Sequence, residues 1–456
     1  MGKDNRQRRA AKARRKIAQR RRPRQPRLPF SPAVSPVVSS PPPQLTLPVD
    51  AASVRSTVDE LLDELDGPSR FRRVVTGSLV DVLARLDADT VRAALASRLR
   101  AALSSAWEQG WQPTDLSRCA ARHRFGSDAD LLRTCFGEEI APRFDLGRRV
   151  APAWMAQLDA LGVAPLPEGR IEQWLRGQGH EAGLAAGVEL LALLVGLYDL
   201  PRLVDPPSAW VDGNPTTPVG DVPATLLARI RALLAKAEST EFDAEAEAFT
   251  AKAQELMARH RIDRALLADA LTAEDSAEGV IGRRVSIDDP YATAKFHLLA
   301  GIAEANGART VWSKHLGMAT VFGFPIELDI VEELFTSLLV QATSALHREG
   351  SKVDVDGRSR TTAFRRSFLL AFGDRVEERL RQTVDRVVDE ATVESGTDLV
   401  PLFAERADAV AARVDDLYPK LRSMSISSTD PEGAFAGRLA ADRADLSAGP
   451  PLRRSA

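Results

Sequence analysis

Histidine and cysteine are scarce, with six His and two Cys in 456 residues, so metal and thiol chemistry have few ligands to draw on. Cys119 and Cys135 stand sixteen positions apart without a third Cys or a His cluster, which is neither a disulfide framework nor a zinc pattern. They read as ordinary thiols. Aromatics make up only 5% of the chain, and the bias toward Ala, Leu, Arg, Asp and Glu favours helices over sheets. No GxxxxGK[ST] or GxGxxG stretch is present to cradle phosphates, no Ser lies in a GxSxG setting, and no HExxH pair occurs. No cofactor is expected. The most apolar run, GLAAGVELLALLVGLYDL from Gly183, carries Glu189 inside it and closes on Asp199, which predicts a buried core helix rather than a membrane span. The basic amino terminus runs into Pro and Ser instead of an apolar h-region, so neither export nor membrane insertion is expected and a cytoplasmic setting is.

What is present is a division of charge. Residues 1–27 hold thirteen Lys or Arg against Asp4 alone, a local +12; with −2 overall, the rest of the chain carries −14. The arm has too few large apolar residues to offset its ordering entropy, and disorder is expected over 1–28. Seven prolines between Pro29 and Pro48 then make residues 29–50 an extended spacer.

From 51 to 203 the apolar residues recur at helical spacing, as in Val91, Leu95, Leu99, Leu103 and Trp107. Six to eight helices are predicted there. Breakers are expected at Gly67–Pro68, Gly110 with Pro113, Gly126, Pro142, Pro165 with Pro167, and Gly177 with Gly179. A Pro/Gly-rich linker over 204–223 marks the next boundary. Residues 224–268 read as a helical hairpin. One stripe is Leu226, Leu227, Ile230, Leu233, Leu234 and Ala237; the other is Ala246, Phe249, Ala253, Leu256 and Met257. So short a hairpin must lean on other structure, and the segment after it is the candidate.

There the periodicity changes. RRVSI from Arg283, ARTVWS from Ala308 and MATVFGF from Met318 read as strands, while Ala292–Ala305 and Ile326–Leu346 carry helical stripes. A strand, helix, strand, strand, helix order defines a small α+β unit within a region spanning 279–446. A Gly/Asp/Arg loop over 350–360 precedes a long helix marked by Phe364, Phe368, Phe372, Val376 and Leu380, and 447–456 reads as a frayed tail. The fold class is mainly α: an amino-terminal helical domain, then the hairpin with its α+β unit.

The hairpin patterns RIRALLAKAEST from Arg229 and EAEAFTAKAQELMARHRI from Glu245, the stretch LDIVEELFTSLLVQA from Leu328, and the runs FRRSFLLAFGDRVEERL from Phe364 and FAGRLAADRADL from Phe435 together resemble the family called domain of unknown function 2786. The resemblance spans residues 224–446. It implies a helical hairpin followed by an α+β region in an actinobacterial or phage setting, and it carries no catalytic residues.

Four functional readings follow from the residues. Arg8, Arg9, Lys12, Arg14, Arg15, Lys16, Arg20, Arg21 and Arg22 would bind DNA or RNA through counterion release, the preferred reading. The bland alternatives are an arm that touches the acidic body or merely solvates the terminus, with a membrane surface less favoured for want of apolar anchors. The order helix, GWQP turn, helix around Trp111 could be a helix-turn-helix presenting Arg118, Arg122, His123 and Arg124, although Arg-rich helix surfaces are common. His297, His315, Asp329, Glu332 and Glu333 share the α+β unit and define the alternative of a metal-dependent hydrolase or nuclease; singly bonded His is the more ordinary outcome, and no metal is expected. Lys252, Glu255 and Arg259 lie near one stripe of the second hairpin helix, as an interaction surface for a protein-binding regulator or, more ordinarily, as helix-surface ion pairs.

Overall fold

The breaker at Gly110 and Pro113 organises the first half of the chain. In a computed structural model that describes residues 60, 79–122, 129–145, 151–210, 256, 259, 279–396, 398–422 and 427–444, helix α1 (Ala88–Glu108) ends just before this turn. Gly110 adopts φ +84°, and a Cβ there would sit 2.2 Å from the Leu200 carbonyl oxygen, so both conformation and space call for glycine. Pro113 opens helix α2 (Pro113–Arg122), where its missing N–H costs nothing. Asp87 caps α1 by accepting from the Thr90 N–H at 2.9 Å.

The expected stripe of α1 is the buried one. Val91, Leu95, Leu99, Leu103 and Trp107 are each 3% exposed or less, and burial of side chains this size stabilises by roughly 1.5–3 kcal/mol apiece. They face α3 (Ala129–Asp145), α4 (Pro152–Ala160), α5 (Arg170–Gly177) and α6 (His180–Val195). The apolar run from Gly183 becomes α6. Gly187 lets Leu95 and Leu175 approach, and Glu189 points outward. Trp107, Trp154 and Trp210 meet edge to face in series, with centroids 5.1 and 5.7 Å apart. Trp210 belongs to the Pro/Gly-rich stretch, whose described part, a 3₁₀ turn at Pro207–Ala209 included, lies against this core.

Pro142 does not break its helix. It lies inside α3, where only three residues follow, so the missing hydrogen bond falls in the last turn, which has few bonds left to lose.

The second half is built on three strands. β1 (Ile281–Ser286), β2 (Arg309–Ser313) and β3 (Met318–Gly323) form an antiparallel sheet in the order β1-β3-β2, with Arg284 opposite Thr320 and Val311 opposite Thr320 on the other side. Strand alternation gives the sheet two faces. Ile281, Val285, Trp312, Ala319 and Val321 pack against α7 (Ala292–Ala305), α8 (Pro325–Arg348) and α9 (Thr361–Ser395). Val311 and Phe322 turn the other way onto α10 (Val400–Leu417), where Val410 and Val414 meet them and Tyr418 lies edge-on to Phe322. Helix α11 (Pro431–Asp442) lies so close along α9 that a Cβ on Gly437 would stand 2.2 Å from the Phe368 carbonyl oxygen.

Arg284 joins the halves. Its side chain, 5% exposed, donates to the Gly110 carbonyl at 2.9 Å and the Pro201 carbonyl at 2.7 Å and pairs with Asp115. The fold is mainly α. Among the described residues no helix is long and apolar enough to cross a membrane.

Candidate functional site

The charged groups proposed from the sequence as site residues that lie among the described residues are engaged with other parts of the fold. In the α+β unit, His297 Nε2 lies 2.6 Å from Asp374, and His315 bonds Tyr198. Asp329 and Glu332 both accept from Arg283, at 2.8 and 3.1 Å, and Glu333 has a partner of its own. The cluster that the hydrolase alternative requires is therefore not assembled: its histidines face different neighbours, and one arginine engages two of its carboxylates. Among the described residues no three His, Cys, Asp or Glu side chains are placed to hold a metal ion. His180 contacts the Ala84 carbonyl and His347 its own helix at Thr343, while His123 and His260 lie outside the described residues.

Two arginines of the suggested helix-turn-helix, Arg118 and Arg122, are also engaged within the fold, while Arg124 lies outside the described residues. Arg118 donates to Asp288 at 2.7 Å and to the Ile287 carbonyl at 2.8 Å, and Arg122 pairs with Asp289 at 3.4 Å. A recognition helix needs those side chains free for base edges; here they tie α2 to the loop after β1. Both thiols are free and buried, and burial raises the Cys119 pKa to about 11 and lifts that of Cys135 further. Neither is an activated nucleophile.

Arg8, Arg9, Lys12, Arg14, Arg15, Lys16, Arg20, Arg21 and Arg22 lie outside the described residues, as do Lys252 and Glu255. Arg259 is placed: it pairs with Glu394 at 3.2 Å and Glu390 at 3.8 Å on α9. Leu256, on the same predicted helix, packs against the core beneath the sheet.

One concave feature gathers three cations, of which Arg122 is paired and the side chains of Lys314 and Arg366 have no partner among the described residues. It lies where α7 begins. Tyr291 is the N-cap, at φ +67°, a left-handed conformation uncommon outside glycine, and its side chain makes no capping bond. Its carbonyl accepts from Ala294 and Lys295 at 2.9 and 3.1 Å. The N–H groups of Ala292 and Thr293 thus have no partner among the described residues, and they carry the positive end of the helix dipole.

Around them is a pocket of about 290 Å³, lined by Arg122 from α2, Lys314 from the β2–β3 turn, Arg366 from α9, and by Asp289, Tyr291 and Trp312. Trp312 is held by stacking on Phe296, centroids 5.0 Å apart. Lys314 and Arg366 are exposed, and their side chains make no hydrogen bond or ion pair among the described residues. Three cations against one carboxylate leave the lining at +2. Its size lies at the lower end of ligand pockets, roughly 300–1,000 Å³, and suits a small anionic head group.

A second hollow, of about 390 Å³, has the opposite character. Asp374, Glu377, Glu378 and Asp385 line it, and Arg381 there already pairs with Glu304 and Glu377.

Sequence reading missed the first pocket, because Arg122, Lys314 and Arg366 are far apart along the chain and no single motif contains them together. One local signal was available. The stretch DDPYATAKF places an aromatic residue where a helix start ordinarily has Ser, Thr, Asp or Asn.

Comparison with known families bears out the resemblance of the segment after the Pro/Gly-rich linker. A family model described as "Protein of unknown function (DUF2786)" matches residues 225–264. No curated protein and no solved structure matches the chain.

Proposed function

We propose that the chain is a cytoplasmic, non-enzymatic protein that associates with nucleic acid through its basic amino-terminal arm, the folded body acting as scaffold and interaction module. The observation that carries this reading is the segregation of charge, thirteen cations and one acid in 27 residues joined to a remainder of −14. Such an arm gains affinity by releasing counterions from phosphates, a term that depends on salt and hardly on sequence. The body supports the reading from its side. A cation-lined pocket among its described residues suits an anion.

Gel-shift titration across a salt series tests the proposal, using the full chain and a full-length variant with Arg8, Arg9, Lys12, Arg14, Arg15, Lys16, Arg20, Arg21 and Arg22 changed to Gln. The wild type should lose roughly 10³-fold or more in affinity between 50 and 200 mM salt if about six phosphates are neutralised. The variant should bind weakly at every salt concentration. Equal binding by the two proteins would remove the arm from the function.

A further inference from the structure

We infer that the pocket at the start of α7 is a binding site for a terminal phosphate, of the kind borne by a nucleoside monophosphate or by the 5′ end of a nucleic-acid strand. The site rests on converging groups and not on the helix terminus alone. Lys314 and Arg366 stand just over fifty residues apart in sequence and face one concavity of about 290 Å³, and their side chains make no hydrogen bond or ion pair among the described residues. Two exposed cations lining one hollow repel each other, and an anion between them relieves that repulsion.

Charge chooses among anions. Asp289 lies beside Arg122 at 3.4 Å and offsets it, so the lining's net +2 falls to Lys314 and Arg366. A carboxylate would leave half of that uncompensated, whereas a phosphate monoester carries about −1.5 to −2 at neutral pH and brings three acceptor oxygens. Those oxygens match the donors present: an ammonium, a guanidinium capable of two parallel bonds, and the N–H groups of Ala292 and Thr293. An internucleotide phosphodiester, with one charge and two free oxygens, fits less well. The aromatic side chains of Tyr291 and Trp312 also line the hollow and offer apolar wall to the group that carries the phosphate.

The position of Arg122 is itself built in. Gly317, at φ +62°, would place a Cβ 2.3 Å from the Arg122 Nη1, so the turn between β2 and β3 is kept bare where the guanidinium lies against it. The turn that carries Lys314 therefore also seats Arg122.

Isothermal titration of the full-length chain with its nine arm cations changed to Gln separates this site from the arm. Inorganic phosphate and adenosine 5′-monophosphate should bind and adenosine should not, and a Lys314→Ala/Arg366→Ala double variant should weaken both at least about tenfold. Its thermal unfolding midpoint should not fall, because neither side chain is buried or, among the described residues, paired. Oligonucleotides with and without a 5′-phosphate identify the source. A phosphorylated strand that binds more tightly than the mononucleotide assigns a strand end; equal or weaker binding assigns the free nucleotide. Absence of binding by both phosphate and the mononucleotide, or binding indifferent to the double substitution, overturns the inference and leaves the arm untouched.

Discussion

The helical half before residue 211 and the α+β half after residue 278 treat their cations differently. In the first, Arg100 lies between Glu138 and Glu172 at 3.2 and 2.9 Å, Arg176 reaches Asp89, and Arg118 and Arg122 extend across to the loop after β1. Space between its helices is filled by Trp107, Trp154 and Trp210, whose rings lock edge to face. The second half also has paired arginines, Arg283 and Arg360 among them, but it leaves Lys314 and Arg366 facing a hollow. A half whose charges are mutually satisfied has little electrostatic attraction left for a ligand, while one that holds cations apart has stored it. On the proposal made for the pocket, the difference separates scaffold from binding surface.

The sharpest way to break that contrast is to cut the joint between the halves. Arg284 and Asp115 are 5% and 2% exposed as side chains, and removing one partner of a buried pair costs about 3–5 kcal/mol because the other charge stays buried. Arg284→Met should lose that much by urea unfolding. The variant should also show a stronger pH dependence than the wild type. Burial raises the Asp115 pKa, opposed in the wild type by Arg284 and the Gln112 N–H. Without Arg284 the folded-state pKa lies well above the unfolded value, so stability is greatest in acid, below the usual carboxylate range, and falls as pH rises through the raised value. A variant as stable as wild type, with a flat pH profile, would mean that Arg284 is not what couples the two halves.

A smaller effect is expected at Gly317. Alanine there meets φ +62°, a left-handed conformation that costs a non-glycine residue roughly 1–2 kcal/mol, and its methyl meets Arg122. Gly317→Ala should therefore lower stability by about that amount and shift Arg122 from the pocket wall. Guanidinium chloride unfolding gives the first quantity, and phosphate titration follows the second. An unaltered phosphate affinity would place Arg122 outside the binding determinants and reduce the site to Lys314 and Arg366.

Legibility followed the same division. The order β1, α7, β2, β3, α8 could be read directly, because β-branched pairs such as Thr310–Val311 and Thr320–Val321 alternate with helical stripes of ten residues or more. The stripe of α1 was legible for the same reason. Helix α10 escaped notice, since only Val410 and Val414 of its eighteen residues are buried and so sparse a stripe shows no clear period. Pro142 was read as a break because a local rule cannot say how much helix remains beyond it. The hairpin is the reverse case: its sequence names a family, and residues 225–264 match it, while its structure lies almost wholly outside the described residues. The pocket could not be read at all. Its three cations come from residues 122, 314 and 366, and only tertiary structure brings them together.

The smallest effect is the most discriminating. If Lys314 and Arg366 are reserved for a ligand, Lys314→Ala and Arg366→Ala should each leave unfolding free energy within about 0.5 kcal/mol of wild type, as exposed substitutions away from packing usually do. Relief of their mutual repulsion could even raise stability slightly, and more so at low salt, where charges are less screened. Urea unfolding at two salt concentrations measures both terms. A loss above about 1 kcal/mol from either substitution would show that the side chain supports the fold, as the paired arginines of the helical half do. The pocket would then be another internally balanced surface, and the contrast between the halves would disappear.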